Sequence, residues 1–330
     1  MKSLAPDKND DAKLRQGRTV HEGMVVGREF GQACPMFFTR EGANLSTVGS
    51  YRGAAAFLIG AGPSFREVDK ARLGSVWAMT LNNACASWRG QANCTVDEPS
   101  RFSLSMWLDP TVQKFVPMGH FEKPLWDNRR LRVEPAGEET LNVQRPTPNA
   151  AWRQQWEQAA MKLGDCPNVI GYRRNEKFHA PRFLYEETVN WGNHKKYGGG
   201  RSVLLAALRI LFLLGFRRVY LLGVDFEMTP ERKYHFPEER SAAAIQNNQH
   251  TYGRLQQWLG EVQPYFLREK FVVKNCNLAS KLTAFPFLPC EEAIEEATAH
   301  LGDCARERTE GMYQKLEVKV AGGQPAAVEA

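Results

Sequence analysis

The chain has 330 residues, 43% of them hydrophobic and 24% charged, which suffices for the core of one large domain or two small ones. A net charge of +6 permits an anionic partner such as a nucleotide, DNA or a membrane surface without demanding one. The seven cysteines are scattered and form no Cys-x-x-Cys pair, which argues against a zinc or dithiol redox motif and for reduced thiols in a cytoplasmic protein.

Residues 1–20 are polar and mixed in charge, so disorder is expected there and no signal peptide. Residues 21–50 are Gly-rich and irregular. The first strong strand is expected at Ala54–Ile59, running straight into Gly60-Ala61-Gly62-Pro63-Ser64. The apolar positions Phe65, Val68 and Leu73 predict a short amphipathic helix next. A second strand over Val76–Leu81 ends at Asn82-Asn83, and a third ends near Cys94–Val96, before Asp97-Glu98-Pro99. Residues 103–195 are rich in Trp, Pro and Arg and show few clean periods. They read as a loop-rich insertion on the acceptor side of a crevice, with one helix at Ala151–Leu163.

The second half is plainer. Gly198-Gly199-Gly200-Arg201-Ser202 opens a helix over Val203–Leu214, which Gly215 ends. The longest apolar run, Val203–Phe216, is too short for a membrane span and is broken by Arg209, so it predicts a buried helix and no membrane partner. Arg217–Leu222 is a strand ending in Gly223-Val224-Asp225-Phe226. A helix over His250–Leu267, interrupted near Pro264, a strand over Phe271–Asn275 and an acidic helix over Glu291–Leu301 follow. The tail from 303 to 330 is expected to be largely disordered. Strands alternating with helices predict an α/β fold: a doubly wound, mostly parallel Rossmann-like sheet in a single catalytic domain over 21–302, with long loop insertions.

Ligands of such sheets bind beyond the carboxyl ends of the strands, where the loops at 60–64, 82–83, 97–99 and 223–228 should converge. Gly60 and Gly62 allow a sharp turn and a close backbone approach, and the following helix start favours phosphate. A tight strand–helix turn accounts for them as well. The spacing is neither a dinucleotide fingerprint nor a P-loop. Asn82-Asn83 offers donors and acceptors to a base or ribose, or serves a turn through its tolerance of left-handed backbone. Asp97-Glu98 suits a ribose hydroxyl, a metal or a helix cap. The run from Asn193 to Ser202 sets His194, Lys195, Lys196 and Arg201 beside three glycines, either an anion-binding arrangement or a solvated basic loop. Beyond Asp225, Tyr234, His235 and His250 follow in an irregular segment, and a histidine there suits a general base.

Two stretches carry a family resemblance. AFLIGAGPSFREVDKARL, from Ala56 to Leu73, resembles the opening motif of bacterial lipooligosaccharide sialyltransferases. It also resembles that of a Rossmann-like family including archaeal 6-hydroxymethylpterin diphosphokinases, with phage-encoded members looking most alike. GGGRSVLLAALRILFLLGFRRVYLLGVDFEM, Tyr234-His235-Phe236, the position of His250 and KNCNLASKL are similar to the sialyltransferases in the same order. The resemblance implies a nucleotide-sugar-dependent glycosyltransferase. Gly60, Gly62, Pro63, Ser64 and Asn83 would hold the donor nucleotide, with Gly199, Gly200 and Ser202 also touching the donor. Tyr234 would stabilise the leaving phosphate and His250 would deprotonate the acceptor hydroxyl. Asp97 and Asp225 are counted with the donor site, and His194, Lys195, Lys196 and Arg201 with the acceptor. No metal or other cofactor is implied. Two departures stand out: Ala61 replaces an Asn, and Glu227 stands in place of a phosphate-binding Tyr, so a sialic-acid donor is not implied and Mg²⁺ remains an option. Phage-like relatives imply hydroxymethylated pyrimidine bases of double-stranded DNA as acceptor, with Arg173–Lys177 along the backbone and Trp191 stacked on a base. The alternatives are a Mg²⁺-dependent diphosphokinase using Asp97 and Asp225, and a non-catalytic nucleotide-binding phage protein.

Overall fold

Strand β3, Ala55–Ile59, is buried at all five positions, as a parallel strand covered on both faces must be. It belongs to a sheet of nine strands among the described residues of the computed structural model, which are 20–21, 24–25, 35–127, 157–231, 234–236, 241–301 and 310–311. The other strands are β1 (Phe37–Thr39), β2 (Gly42–Ala43), β4 (Ala78–Leu81), β5 (Ala92–Cys94), β6 (Gln113–Pro117), β7 (Val169–Tyr172), β8 (Arg218–Leu222) and β9 (Val272–Asn275). Their order is β9-β8-β3-β4-β5-β6-β7-β1-β2. All pairings from β9 to β7 are parallel, and β1 and β2 add an antiparallel edge. The order runs outward from β3 to β7 on one side, then returns through β8 and β9 on the other. The junction of β3 and β8 is therefore a topological switch point.

Alternation along β3 shows the double winding. Ala56 and Leu58 share one core with helix α2 (Val203–Leu214) and the buried stripe of helix α3 (Ala242–Arg268). Ala55, Phe57 and Ile59 share the other with Ala293, Ile294 and Ala297 of helix α4 (Cys290–Thr298). The sheet is covered on both faces, the α/β, Rossmann-like arrangement expected. α2 is capped by Ser202, whose Oγ accepts from the Leu204 N–H at 3.1 Å, and it ends at Gly215 in the left-handed region. Arg209 is buried within it and donates to the Glu186 carbonyl at 2.9 Å, so the charge that breaks the apolar run is accommodated inside the core.

Four expectations are corrected. Residues 65–73 form no amphipathic helix; two 3₁₀ turns, Pro63–Glu67 and Arg72–Ser75, occupy that stretch, and Phe65 and Leu73 are buried from them. The segment 103–195 is not merely loop, for it supplies the parallel strands β6 and β7 and a short helix, Leu104–Leu108. Within Ala151–Leu163, residues Glu157–Lys162 form a strand paired antiparallel with Pro124–Asp127 rather than a helix. α3 starts at Ala242, capped by the Ser241 hydroxyl, and runs through Pro264 without a break. Pro264 is exposed, and the residue four positions earlier is the exposed Gly260, so the carbonyl that loses its partner faces solvent. The expected N-terminal disorder before residue 20 lies outside the described residues. So does the expected tail disorder, apart from 310–311.

Candidate functional site

The carboxyl ends of the seven parallel strands share one edge of the sheet. That edge carries the loops after β3 (Gly60–Ser64), β4 (Asn82-Asn83), β5 (Asp97), β8 (Gly223–Met228) and β9 (Asn277). At the switch point the loops after β3 and β8 pack backbone to backbone. The N–H groups of Gly60 and Gly62 donate to the carbonyls of Leu222 and Gly223, both at 2.7 Å. A Cβ on Gly60 would stand 2.5 Å from the Gly223 oxygen, and one on Gly223, which has φ +61°, would stand 2.7 Å from the Gly60 oxygen. Close approach between two loops thus explains these glycines, and two of the turn's N–H groups are already used within the protein.

Asp225 locks this junction. Its carboxylate accepts from the Ser64 N–H at 3.0 Å, from the Ser64 hydroxyl, and from Asn277 Nδ2 at 2.8 Å. The Lys281 N–H donates to the Asp225 carbonyl at 2.9 Å. Asp225 is 9% exposed. It therefore ties the loops after β3, β8 and β9 together, and Ser64 is the partner that starts the 3₁₀ turn.

Tyr234-His235-Phe236 lies on the glycine turn. The His235 N–H donates to the Ala61 carbonyl at 3.0 Å, and Arg66 Nη2 donates to the Tyr234 carbonyl at 2.7 Å. The His235 ring packs edge-on against Phe65 and is hydrogen-bonded through Nδ1 to Ser87 Oγ at 2.8 Å. Burial, with Lys70 and Arg66 nearby, holds its pKa down at about 4 against the ordinary 6.5. His235 is neutral at pH 7. Tyr234 is half-buried and stacks on Phe236. Arg66 and Lys70 add positive charge beside the turn, which suits phosphate.

Asn83 is half-buried, and its Nδ2 donates to the Arg101 carbonyl at 3.4 Å. Asn82 adopts φ +47°, the left-handed backbone that its residue type tolerates. Its Oδ1 is buried without a partner among the described residues. Asp97 pairs with Arg101 at 3.6 Å. The loops carrying Asp97 and Asp225 leave the sheet three strand spacings apart, roughly 14 Å. Each carboxylate is already engaged, an arrangement unlike a shared Mg²⁺ site.

The loop before α2 is held in shape by three consecutive left-handed glycines, Gly198, Gly199 and Gly200. Gly200 lies against Trp258 of α3, and Gly198 and Gly200 lie beside Arg254. His250 is exposed one helical turn before Arg254. On the neighbouring positions of α3, Gln249 Nε2 donates to the Met228 carbonyl at 2.7 Å and Tyr252 stacks on Phe226. His250 thus stands where α3 meets both the loop after β8 and the glycine loop. Ser202 caps α2. His194, Lys195, Lys196 and Arg201 are exposed; His194 Nδ1 accepts from the Lys196 N–H at 3.4 Å and Arg201 reaches Glu176 at 3.5 Å. The guanidiniums of Arg174 and Arg201 lie over the Trp191 ring, 5.3 and 4.8 Å from its centroid.

No family model matches the chain, and no curated protein matches it. Among solved structures it is similar to the MAf glycosyltransferase from Magnetospirillum magneticum AMB-1, at 12% identity and a TM-score of 0.36. That match covers 73% of this chain and 34% of the other, so the chain matches about a third of the length of that structure. Among the described residues no helix is long and apolar enough to cross a membrane, and no group of three or more His, Cys, Asp or Glu is gathered to hold a metal ion.

The structure brings Gly60–Ser64, Asp225 and Tyr234 into one junction, and α3 carries His250 one turn before Arg254, which lies beside Gly198 and Gly200. It places Asp97 apart from Asp225. Sequence reasoning overlooked Arg66, Lys70 and Asn277. Arg66 and Lys70 sat in a segment read as an ordinary helix, and Asn277 acts only through a carboxylate 52 positions earlier.

Proposed function

We propose that the chain is a glycosyltransferase that takes a sugar from a nucleotide-sugar donor at the switch point of β3 and β8. The observation that carries this reading is the junction itself. A glycine turn, the cations Arg66 and Lys70, Asn83 and Tyr234 lie on loops of neighbouring parallel strands or against them, where nucleotides bind in sheets of this topology. Tyr234 serves the leaving phosphate through its hydroxyl. His250 takes the proton of the acceptor hydroxyl as that oxygen attacks the sugar's anomeric carbon and the nucleotide departs. The acceptor side is the exposed basic loop 194–201. Its exposed cations suit a phosphate backbone, which favours hydroxymethylated pyrimidine bases of DNA as the acceptor.

The test is a thermal-shift panel of UDP-, GDP-, CMP- and ADP-sugars and ATP, each with and without Mg²⁺. One nucleotide sugar should raise Tm by mass action, and His250→Ala should keep that shift while losing transfer to hydroxymethylated DNA. Stabilisation by ATP with Mg²⁺ alone would replace the reading with a diphosphokinase. Unchanged transfer in H250A would remove the histidine from the mechanism.

A further inference from the structure

A second concave site lies on the same edge of the sheet, away from the switch point. Beyond the carboxyl ends of β6 and β7 is a cavity of about 320 Å³, lined by Pro117, Met118, His120, Lys123, Arg173 and Arg174 among others. That volume is within the range of small-ligand pockets. β6 is separated from β3 by three strand spacings, roughly 14 Å. The cavity is therefore distinct from the proposed donor site.

Its lining is one-sided in charge. Lys123 is paired with Glu98, and Arg174 approaches Glu176 at 3.8 Å. Arg173 is exposed, lies over the Phe38 ring at 4.8 Å, and is paired with no carboxylate among the described residues. The cavity also holds an anomaly. His120 is only 4% exposed, and its Nδ1 is buried with no hydrogen-bond partner among the described residues. A buried polar atom without a partner is costly; Nδ1 is itself closed off from solvent, so a ligand oxygen in the cavity meets it only when the His120 ring turns.

We infer that this cavity binds the terminal phosphate of a small phosphomonoester, with Arg173, Arg174 and Lys123 meeting its charge and the His120 ring turning to donate from Nδ1 to one oxygen. Arginine suits this role because its planar fork matches phosphate oxygens two at a time. A monoester fits better than a nucleic-acid backbone. A diester is attached on both sides and runs along a surface, whereas a terminal phosphate can enter a recess. Burial first, then the neighbouring Lys123, keeps His120 neutral at pH 7, so it joins as a neutral donor, and Arg173 is the cation with no carboxylate partner among the described residues.

Calorimetric titration of the full chain with sodium phosphate, against chloride at matched ionic strength, tests the site. Saturable binding of one equivalent is expected. Arg173→Ala, which removes an exposed side chain, should weaken it by about ten-fold or more. Ribose 5-phosphate should bind at least as well as inorganic phosphate, and short duplex DNA should not displace it. Imidazole ¹⁵N resonances of His120 in the unmodified protein should move with saturation, a readout that needs no variant at a buried position. No saturable heat above chloride, equal affinity in R173A, or a still His120 spectrum would each overturn the assignment. Displacement by duplex DNA with no response to ribose 5-phosphate would replace the monoester by a backbone contact. The site stands apart from the donor reading, because R173A should leave any nucleotide-sugar stabilisation intact.

Discussion

Asp225 shows how one carboxylate decides the shape of a site. It takes three donors from two other loops, and no neighbour can replace it. Asp225→Ala should cost about 2–4 kcal/mol, since Ser64 and Asn277 lose a charged acceptor in a half-buried place. Urea unfolding would measure this, and a loss below about 1 kcal/mol would mean that water serves these donors equally well. The residue itself was legible as important, because a strand ending in Gly-Val-Asp stands out. Its partners were not. Ser64 lies 161 positions away and Asn277 lies 52 away, so only folding brings them into reach. The glycines give the same lesson with the opposite emphasis. Gly60 and Gly62 were readable as a turn made for close approach, but what approaches them in the structure is the loop after β8.

At the scale of elements, success followed burial and periodicity. α2 and strands β3, β4, β8 and β9 were readable because each is mostly apolar or β-branched and ends at a clear stop. β6 and β7, as long as β3 and β4, were hidden because they sit in a segment rich in Trp, Pro and Arg. Lys114 of β6 is buried and donates to the carbonyls of Asp109 and Pro167, so even a lysine occurs in a central strand. α3 was read eight residues short because its first turns are polar and little buried, with nothing periodic to mark them. Its Pro264 was overvalued as a breaker. Proline at an exposed interior helix position costs up to about 3 kcal/mol relative to alanine, partly offset by its restriction of the unfolded chain. Pro264→Ala should therefore raise stability by about 1–3 kcal/mol, read as a higher urea midpoint at unchanged m-value. A lower midpoint would show that the ring is a needed packing contact.

For the whole molecule, two buried histidines set a pH limit. His120 and His235 are both held at about 4 against an ordinary 6.5, chiefly by burial. The unfolded chain takes up these protons first as pH falls. The stabilisation is thus complete above about pH 6.5 and is lost as pH drops from there toward 4. Each site contributes at most about 3 kcal/mol over that window. Urea midpoints from pH 7.5 to 4.5 should fall steeply, and His235→Gln should flatten the curve; an unchanged slope would show that this ring does not titrate with unfolding.

The sequence by itself determined the fold class, the strand–helix units around β3 and β8, and the set of loops that carry polar residues. Those properties follow from local pattern: apolar runs, caps and glycine stops act over a few residues. Tertiary structure alone decided that β8 lies beside β3 and thereby creates the switch point. It also decided that Asp225 is engaged by Ser64 and Asn277, that Tyr234-His235-Phe236 lies on the glycine turn, and that His120 is buried beside three cations. These depend on contacts between distant segments, whose energies come from complementary surfaces that no local period records.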